Sequence, residues 1–152
     1  DASVRPYLKL LVKYNRPAIF HSGDTYSWSG RAKLKYTYSI HIDELAIELP
    51  KLKIVIAHLG YPWTIDTAEV CYKNKNVYTD CSGFVYGKFN AKDKANLKRN
   101  LRDFARVCPA GRVLFGSDWP IGDQTSYIKT IKEISGKSRR LFSENAKKLF
   151  GI

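Results

Sequence analysis

Three ionisable side chains follow short apolar runs in this sequence, and their types are those that bind metal ions and transfer protons. His21 and His58 come directly after such runs, and Asp118 follows a third one after two small residues. Because parallel strands all end on the same side of a sheet, we expect these three residues to lie together at the carboxyl end of the sheet. Imidazole and carboxylate groups together suit Zn²⁺, with Mn or Fe as alternatives. The residues therefore predict a metal site or an acid/base site.

The elements that would position these residues alternate along the chain. Short, nearly continuous apolar runs predict four buried strands, and segments with a helical apolar period lie before, between and after them. The predicted strands are 18–21, 52–58, 76–81 and 112–116, and the predicted helices include 4–15, 40–49, 64–72 and 91–107. Two further helices follow, and polar residues at helix starts predict N-caps at Ser39, Asp123 and Ser143. This order predicts an α/β fold with a parallel sheet covered by helices.

Length and composition bound the class of protein. At 152 residues with 44% hydrophobic residues, the chain is expected to form a single domain over residues 1–152. No apolar run approaches the roughly 18 residues of a membrane span, which excludes an integral membrane protein. A complete (β/α)8 barrel needs at least about 200 residues, so this chain cannot form one alone.

The net charge of +12 raises the question of nucleic-acid binding. The basic residues are spread along the chain with one concentration between Lys88 and Arg106, which is more typical of a solvated helix face. Nucleic acid is therefore not the expected partner. Three cysteines without a CxxC spacing indicate buried thiols in a reducing compartment, and we expect a cytoplasmic protein.

Five segments carry a resemblance to a known family. They are PAIFHSG at 17–23, LKIVIAHLG at 52–60, NVYTDCSG at 76–83, LFGSDWP at 114–120 and ENAKKLFG at 144–151. In this order and spacing they resemble the amidohydrolase-related, metal-dependent hydrolases with a TIM-barrel fold. The branch is the one that includes aminocarboxymuconate-semialdehyde decarboxylases. The resemblance implies that the four strands correspond to strands five to eight, the C-terminal half of a (β/α)8 barrel.

The same resemblance implies roles for the strand-end residues. His21 matches the metal ligand of the fifth strand, and Asp118 matches the eighth-strand aspartate, which binds the metal and takes a proton from the attacking water. His58 matches the sixth-strand histidine, an acid/base group or, in binuclear relatives, a ligand of a second metal. Asp80 lies in the seventh-strand motif, and we expect it to accept structural hydrogen bonds.

The sequence departs from the family pattern in one large respect. The first-strand His-x-His pair has no counterpart, because the histidines are His21, His41 and His58. The first four strands are also missing, so we expect a fragment of a longer hydrolase or one of two pieces, with the N-terminal half-barrel supplied in cis or in trans. Two ligands would hold a metal weakly. We also expect two open sheet edges and an uncovered apolar inner face.

The function implied is hydrolysis, in which a metal-activated water attacks a C–N, C–O or activated C–C bond of a small molecule. A decarboxylase acting at the same site and a catalytically inactive remnant stay open as alternatives. Residues 22–38 form a long loop with aromatic and basic side chains, among them Tyr26, Trp28, Arg31 and Lys33, which suits a carboxylated or aromatic substrate. His41 opens a helix and is expected at the surface or as a cap, outside the ligand set.

Overall fold

Four parallel strands form the sheet at the centre of the molecule. The computed structural model describes residues 2–25 and 30–152. The strands are β1 (Ala18–Phe20), β2 (Ile54–Ile56), β3 (Val77–Asp80) and β4 (Val113–Leu114), and their order in the sheet is β1-β2-β3-β4. All three pairings are parallel. Each strand thus lies beside its predecessor in the chain, as consecutive barrel strands do, whereas a doubly wound sheet reverses its order at a switch point.

Six α-helices precede, connect and follow these strands in the described part of the chain. They are α1 (Arg5–Lys13), α2 (His41–Glu48), α3 (Thr64–Lys73), α4 (Ala91–Val107), α5 (Gln124–Ser135) and α6 (Asn145–Phe150). A π-helical turn, Arg140–Glu144, leads directly into α6. The predicted bounds of α4 are confirmed, and the predicted strands β2 and β4 are longer than the observed ones. None of the described helices is both long and apolar enough to cross a membrane.

Helix caps test the local predictions. The Asp123 side chain accepts a hydrogen bond from the Ser126 N–H at 2.7 Å, so this predicted cap is confirmed. The cap predicted at Ser39 is wrong, because its buried hydroxyl instead accepts a hydrogen bond from Thr67. The cap predicted at Ser143 is also wrong. That residue lies inside the π-helical turn and its hydroxyl donates to the carbonyl of Arg139.

The two faces of the sheet pack against different partners. Side chains alternate between faces along a strand. On one face, residues such as Ile54, Ile56 and Val77 are fully buried in the main core beneath the helices. On the other face, Val55 and Leu114 form a second cluster with Leu149 of α6. This second face is the inner face of the predicted half-barrel.

The carboxyl-terminal segment covers much of that inner face and the outer edge of β4. Leu149 is 1% exposed, and it packs against Val55 and Leu114. At the edge of β4, the Phe115 N–H donates to the carbonyl of Leu141 at 3.1 Å, and the Asn145 amide donates to that of Val113 at 2.7 Å. The expectation of an open inner face and two open edges is therefore wrong for β4. The reason is that helix α6 and the turn before it supply both apolar cover and hydrogen bonds there.

The edge of β1 is different. Ile19 lies in register with Val55, yet its side chain is 61% exposed. β1 pairs with β2 and has no second strand beside it among the described residues. An exposed apolar side chain on an unpaired edge strand is a site where another strand can add. This edge fits the expectation of an open half-barrel.

Candidate functional site

The loop after β1 is fixed by hydrogen bonds that place His21. The Thr37 carbonyl accepts from the Ser22 hydroxyl and the Gly23 N–H, both at 2.8 Å, and the Thr37 hydroxyl donates back to the Gly23 carbonyl at 2.7 Å. A Cβ at Gly23 would lie 2.0 Å from the carbonyl oxygen of Tyr61. The close approach of these two loops therefore requires glycine at this position, two residues after the candidate ligand.

The surroundings of His21 favour the neutral form of its imidazole, which is the form that binds metals. Its pKa is lowered from the ordinary value, first by partial burial and then by the positive charge of His58. A hydrogen bond to the Asp24 backbone and the charges of Asp118 and Asp24 act in the opposite direction. A ring that donates to a backbone carbonyl presents the lone pair of its other nitrogen. The surroundings of His21 therefore favour a neutral imidazole with one nitrogen lone pair available.

His58 stands on a strained turn at the end of β2. It adopts φ +65° and the next residue, Leu59, adopts φ +53°, a backbone region that is costly for residues with a Cβ. One oxygen of Asp80 holds this turn, because it accepts hydrogen bonds from the His58 N–H at 3.1 Å and from the Ser82 N–H at 2.9 Å. The Ser82 hydroxyl donates to the same oxygen. Asp80 therefore has the structural hydrogen bonds expected for it.

The side chain of His58 is held by the residues that follow β3. Its Nδ1 lies 2.8 Å from the Ser82 hydroxyl oxygen. A Cβ at Gly83 would lie 2.3 Å from the same nitrogen, so the ring occupies space that a side chain at 83 would fill. These hydrogen bonds form a chain that runs from the Asp80 carboxylate through the Ser82 hydroxyl to the His58 imidazole. Such a chain of hydrogen bonds fixes the orientation of the ring.

Asp118 follows β4 in a conformation similar to that of His58. Its φ is +59°, and its carbonyl accepts hydrogen bonds from Ile121 and Gly122 at 2.8 and 3.1 Å, which close a tight turn. Its charge acts on His21, where it raises the pKa of the imidazole. Two of the three predicted site residues thus have left-handed backbone conformations. Strain of this kind is concentrated at functional sites.

The structure brings the three predicted residues together at the carboxyl end of the sheet. The rings of His21 and His58 are 5.2 Å apart between centroids and meet edge to face. A neutral imidazole beside a carboxylate is a donor set that fits part of a divalent-metal site. Within residues 2–25 and 30–152 no group of three or more His, Cys, Asp and Glu residues is arranged to hold an ion. His41 lies apart, exposed, with its Nε2 2.7 Å from the carbonyl oxygen of Lys35.

Aromatic and basic side chains are exposed on the loops that follow the strands. Trp119 is 73% exposed beside Asp118, and it lines a surface recess together with Lys88 from the loop after β3. Tyr86 on the same loop is also exposed. Tyr26 and Trp28, which the sequence suggested for substrate contact, lie outside the described residues, whereas Arg31 and Lys33 are exposed on the described part of their loop.

Sequence reasoning missed the residues that hold the site in place. Ser82 and Gly83 stand in the motif after β3, yet their contact with His58 crosses between two strands and leaves no periodic signal. Thr37, which fixes the loop after β1, lies 15 residues from Ser22. The sequence offered one local sign of this contact. Ser82 and Gly83 are small residues just after a strand, and glycine at such a position often marks a close approach of the backbone to another group.

Comparison with known proteins assigns the chain to a family. The family model described as amidohydrolase matches residues 1–152, the whole of this sequence. No curated protein matches the sequence. Several solved structures share the fold at low sequence identity.

Three of these structures illustrate the likeness. An uncharacterised TIM-barrel protein from Bordetella bronchiseptica has a TM-score of 0.75 at 21% identity, with 99% of this chain and 51% of that chain covered. An amidohydrolase from Burkholderia multivorans with bound zinc has a TM-score of 0.71 at 14% identity, with 100% and 58% covered. A dihydroxybenzoic acid decarboxylase from a Polaromonas species, with bound manganese and the inhibitor 2-nitroresorcinol, has a TM-score of 0.65 at 18% identity, with 96% and 53% covered.

These likenesses establish the fold. The chain spans about half the length of the structures that it matches. Four parallel strands in sequential order, superimposed on half of a TIM-barrel protein, confirm the expected half of a (β/α)8 barrel.

Proposed function

Because the chain belongs to the amidohydrolase family, we propose that it provides half of the active site of a divalent-metal-dependent enzyme acting on a small molecule. The observation that carries the proposal is the convergence of His21, His58 and Asp118 at one end of the parallel sheet. The reaction class is cleavage of a C–N, C–O or activated C–C bond. The protein is proposed to be a piece of a longer enzyme, or one of two pieces that together complete the barrel.

His21 and Asp118 are the proposed metal ligands. The lowered pKa of His21 favours its neutral imidazole, the form that a metal ligand requires. A divalent ion held there would lower the pKa of water and polarise a substrate carbonyl. Zinc and manganese in the Burkholderia and Polaromonas structures favour such an ion without deciding which one. Since catalytic zinc sites have three protein ligands, the other half-barrel is proposed to supply the rest of the donor set.

The remaining residues handle protons and orientation. Asp118 is proposed to accept a proton from the attacking water, in addition to its role as a ligand. His58 is proposed to donate a proton to the oxygen on which negative charge develops. Its hydrogen bond with Ser82, at 2.8 Å, and the contact of Ser82 with Asp80 would keep the ring oriented during this transfer.

Decarboxylation is the second candidate, and one surface recess favours it. Trp119 directly follows Asp118 in the chain and lines a surface recess with Lys88, so an ammonium group and an indole face are both available there to an aromatic carboxylate. The Polaromonas structure is of a decarboxylase of an aromatic acid. The metal and the strand-end residues would be shared by both reactions, and a comparison of amide, ester and aromatic-acid substrates would distinguish them.

Paramagnetic broadening by Mn²⁺ tests the site on the chain as it stands. The three histidines give three imidazole signals, and His41 serves as an internal control because its ring lies apart on α2. Titration with Mn²⁺ should broaden the signals of His21 and His58 before that of His41. The substitution Asp118→Asn should move this broadening to higher Mn²⁺ concentration. Equal broadening of all three histidines, or broadening unchanged by Asp118→Asn, would contradict the proposed site.

A further inference from the structure

A groove with an apolar floor runs along the outward side of α4. It has a volume of about 480 Å³ and lies between α4, the end of α5 and the turn that precedes α6. Ala95 and Ala105 line one side of it, and Ile134 and Leu141 line the other. None of the strand-end residues of the candidate site takes part. The two alanines leave a depression in the helix surface, since their side chains are too short to fill it.

The rim of the groove is basic. Lys98, Arg99, Arg102 and Arg140 line it, and no carboxylate among the described residues does. The ion pairs formed by the described residues include neither Lys98 nor Arg140. Arg99 donates to the Asn96 side chain, and Arg102 meets Asp103 at 3.4 Å on the exposed surface. The groove is therefore electropositive along its length, and most of that charge is not neutralised by the described part of the chain.

We infer that this groove binds an acidic amphipathic helix of a partner protein. From Ala95 to Ala105 the groove follows about 15 Å of α4, the length of roughly ten helical residues. An apolar floor of this length accepts side chains spaced by three, four and seven residues, as in helix-in-groove recognition. Carboxylates beside that apolar stripe would meet the cations of the rim.

The distribution of charge selects this occupant over two others. The cations stand on both sides of the groove, three on α4 and Arg140 opposite, so they match several carboxylates along a ligand. A fatty acid has one charged head and would use one end only. A single-stranded nucleic acid binds through aromatic stacking as well as phosphate contacts, and none of the described aromatic side chains lines the groove.

Fluorescence anisotropy with a designed peptide tests the inference. The probe is a labelled peptide of about 14 residues with leucines at every third or fourth position and glutamates on both flanks. Two matched peptides replace the leucines by serine or the glutamates by lysine. The first peptide should bind at least about tenfold more tightly than either, and its affinity should fall as salt concentration rises.

Paired charge reversals locate the binding. Arg99→Glu combined with Arg140→Glu should weaken binding of the acidic peptide by about tenfold or more. Lys132→Glu combined with Lys147→Glu is the control, because it changes the net charge equally at exposed positions outside the groove. Thermal unfolding of both variants checks that they fold. Equal weakening by the two pairs, equal binding of the serine peptide, or displacement by dodecanoate or an oligonucleotide at similar concentration would each overturn the inference.

Discussion

Gly83 lies so close to His58 that a Cβ at position 83 would be 2.3 Å from the Nδ1 atom of the imidazole. The backbone of Gly83 also has φ +73°, which L side chains rarely adopt. The neighbouring residue, Ser82, contacts the same ring nitrogen through its hydroxyl. Position 82 thus orients the ring through a hydrogen bond, and position 83 leaves the space that the ring occupies.

The substitution Gly83→Ala should displace His58 and destabilise the fold by about 1–3 kcal/mol, through backbone strain and the steric clash. Gly87→Ala is a matched control, because Gly87 also has a positive φ, +76°, but a Cβ added there would meet no atom within 4 Å. Urea unfolding gives the free energy of each variant, and the His58 imidazole signal reports the ring. If both variants lost the same stability and left the His58 signal unchanged, the contact would not position the ring.

The elements were more predictable from sequence than the contacts between them. Apolar periodicity predicts the alternation of strands and helices along the chain and the bounds of α4, because burial imposes its pattern on local sequence. The contacts of Ser39 with Thr67 and of Asn145 with Val113 link residues 28 and 32 positions apart, and such pairings leave no local pattern. At the site, residue type and strand-end position predict His21, His58 and Asp118, whereas the support from Ser82 and Thr37 required the fold.

Asp80 is expected to matter for stability as well as for the site. Its Oδ1 accepts hydrogen bonds from the N–H groups of His58 and Ser82, so Asp80→Ala would leave two backbone donors unpaired. The loss should be about 2–6 kcal/mol in the free energy of unfolding, since each of the two unpaired donors costs about 1–3 kcal/mol. Asp80→Asn retains one acceptor oxygen and should cost less. If calorimetry found Asp80→Asn to be less stable than Asp80→Ala, this account would be contradicted.

Helix α6 should protect the inner face of the sheet from solvent. Leu149→Ala removes a side chain that is 1% exposed and should cost about 2–5 kcal/mol. It should also increase binding of a hydrophobic dye, because Val55 and Leu114 lose their cover. Ile152→Ala, at an 82% exposed position, is the control and should change neither quantity. Dye fluorescence that stayed at the unsubstituted level for Leu149→Ala would show that another segment covers these residues.

The buried thiol of Cys81 predicts a pH dependence of stability. Burial raises its pKa from 9.0 to about 12, so the unfolded chain loses the thiol proton at lower pH than the folded chain does. This contribution is complete below pH 9 and is lost as pH rises from about 9 to about 12, by up to about 1.4 kcal/mol for each pH unit. Urea unfolding between pH 8 and 11 should therefore show a shallower decline for Cys81→Ala than for the unsubstituted chain. Parallel declines would contradict a buried, neutral thiol.

The last prediction separates the roles of the site residues in an enzyme that contains both half-barrels. His21→Ala removes a proposed metal ligand, so metal content and turnover should fall together. His58→Ala should retain most of the metal and lose about 10²- to 10⁴-fold in rate, the usual worth of a positioned acid or base. Asp118→Asn should reduce turnover most, because one substitution weakens a ligand and removes a proton acceptor.

Elemental analysis and turnover of one accepted substrate measure both quantities for each variant. His41→Ala is the matched control, because the ring of His41 contacts the Lys35 carbonyl on the surface and should be dispensable for metal and rate alike. Loss of metal from His58→Ala with retention in His21→Ala would invert the two assignments. The rings of His58 and His21 are 5.2 Å apart between centroids, so there is room for a second ion held by His58 alone, and His58→Ala would then lose metal that His21→Ala retains. Metal content per protein, one ion or two, then decides between a proton donor and a ligand at position 58.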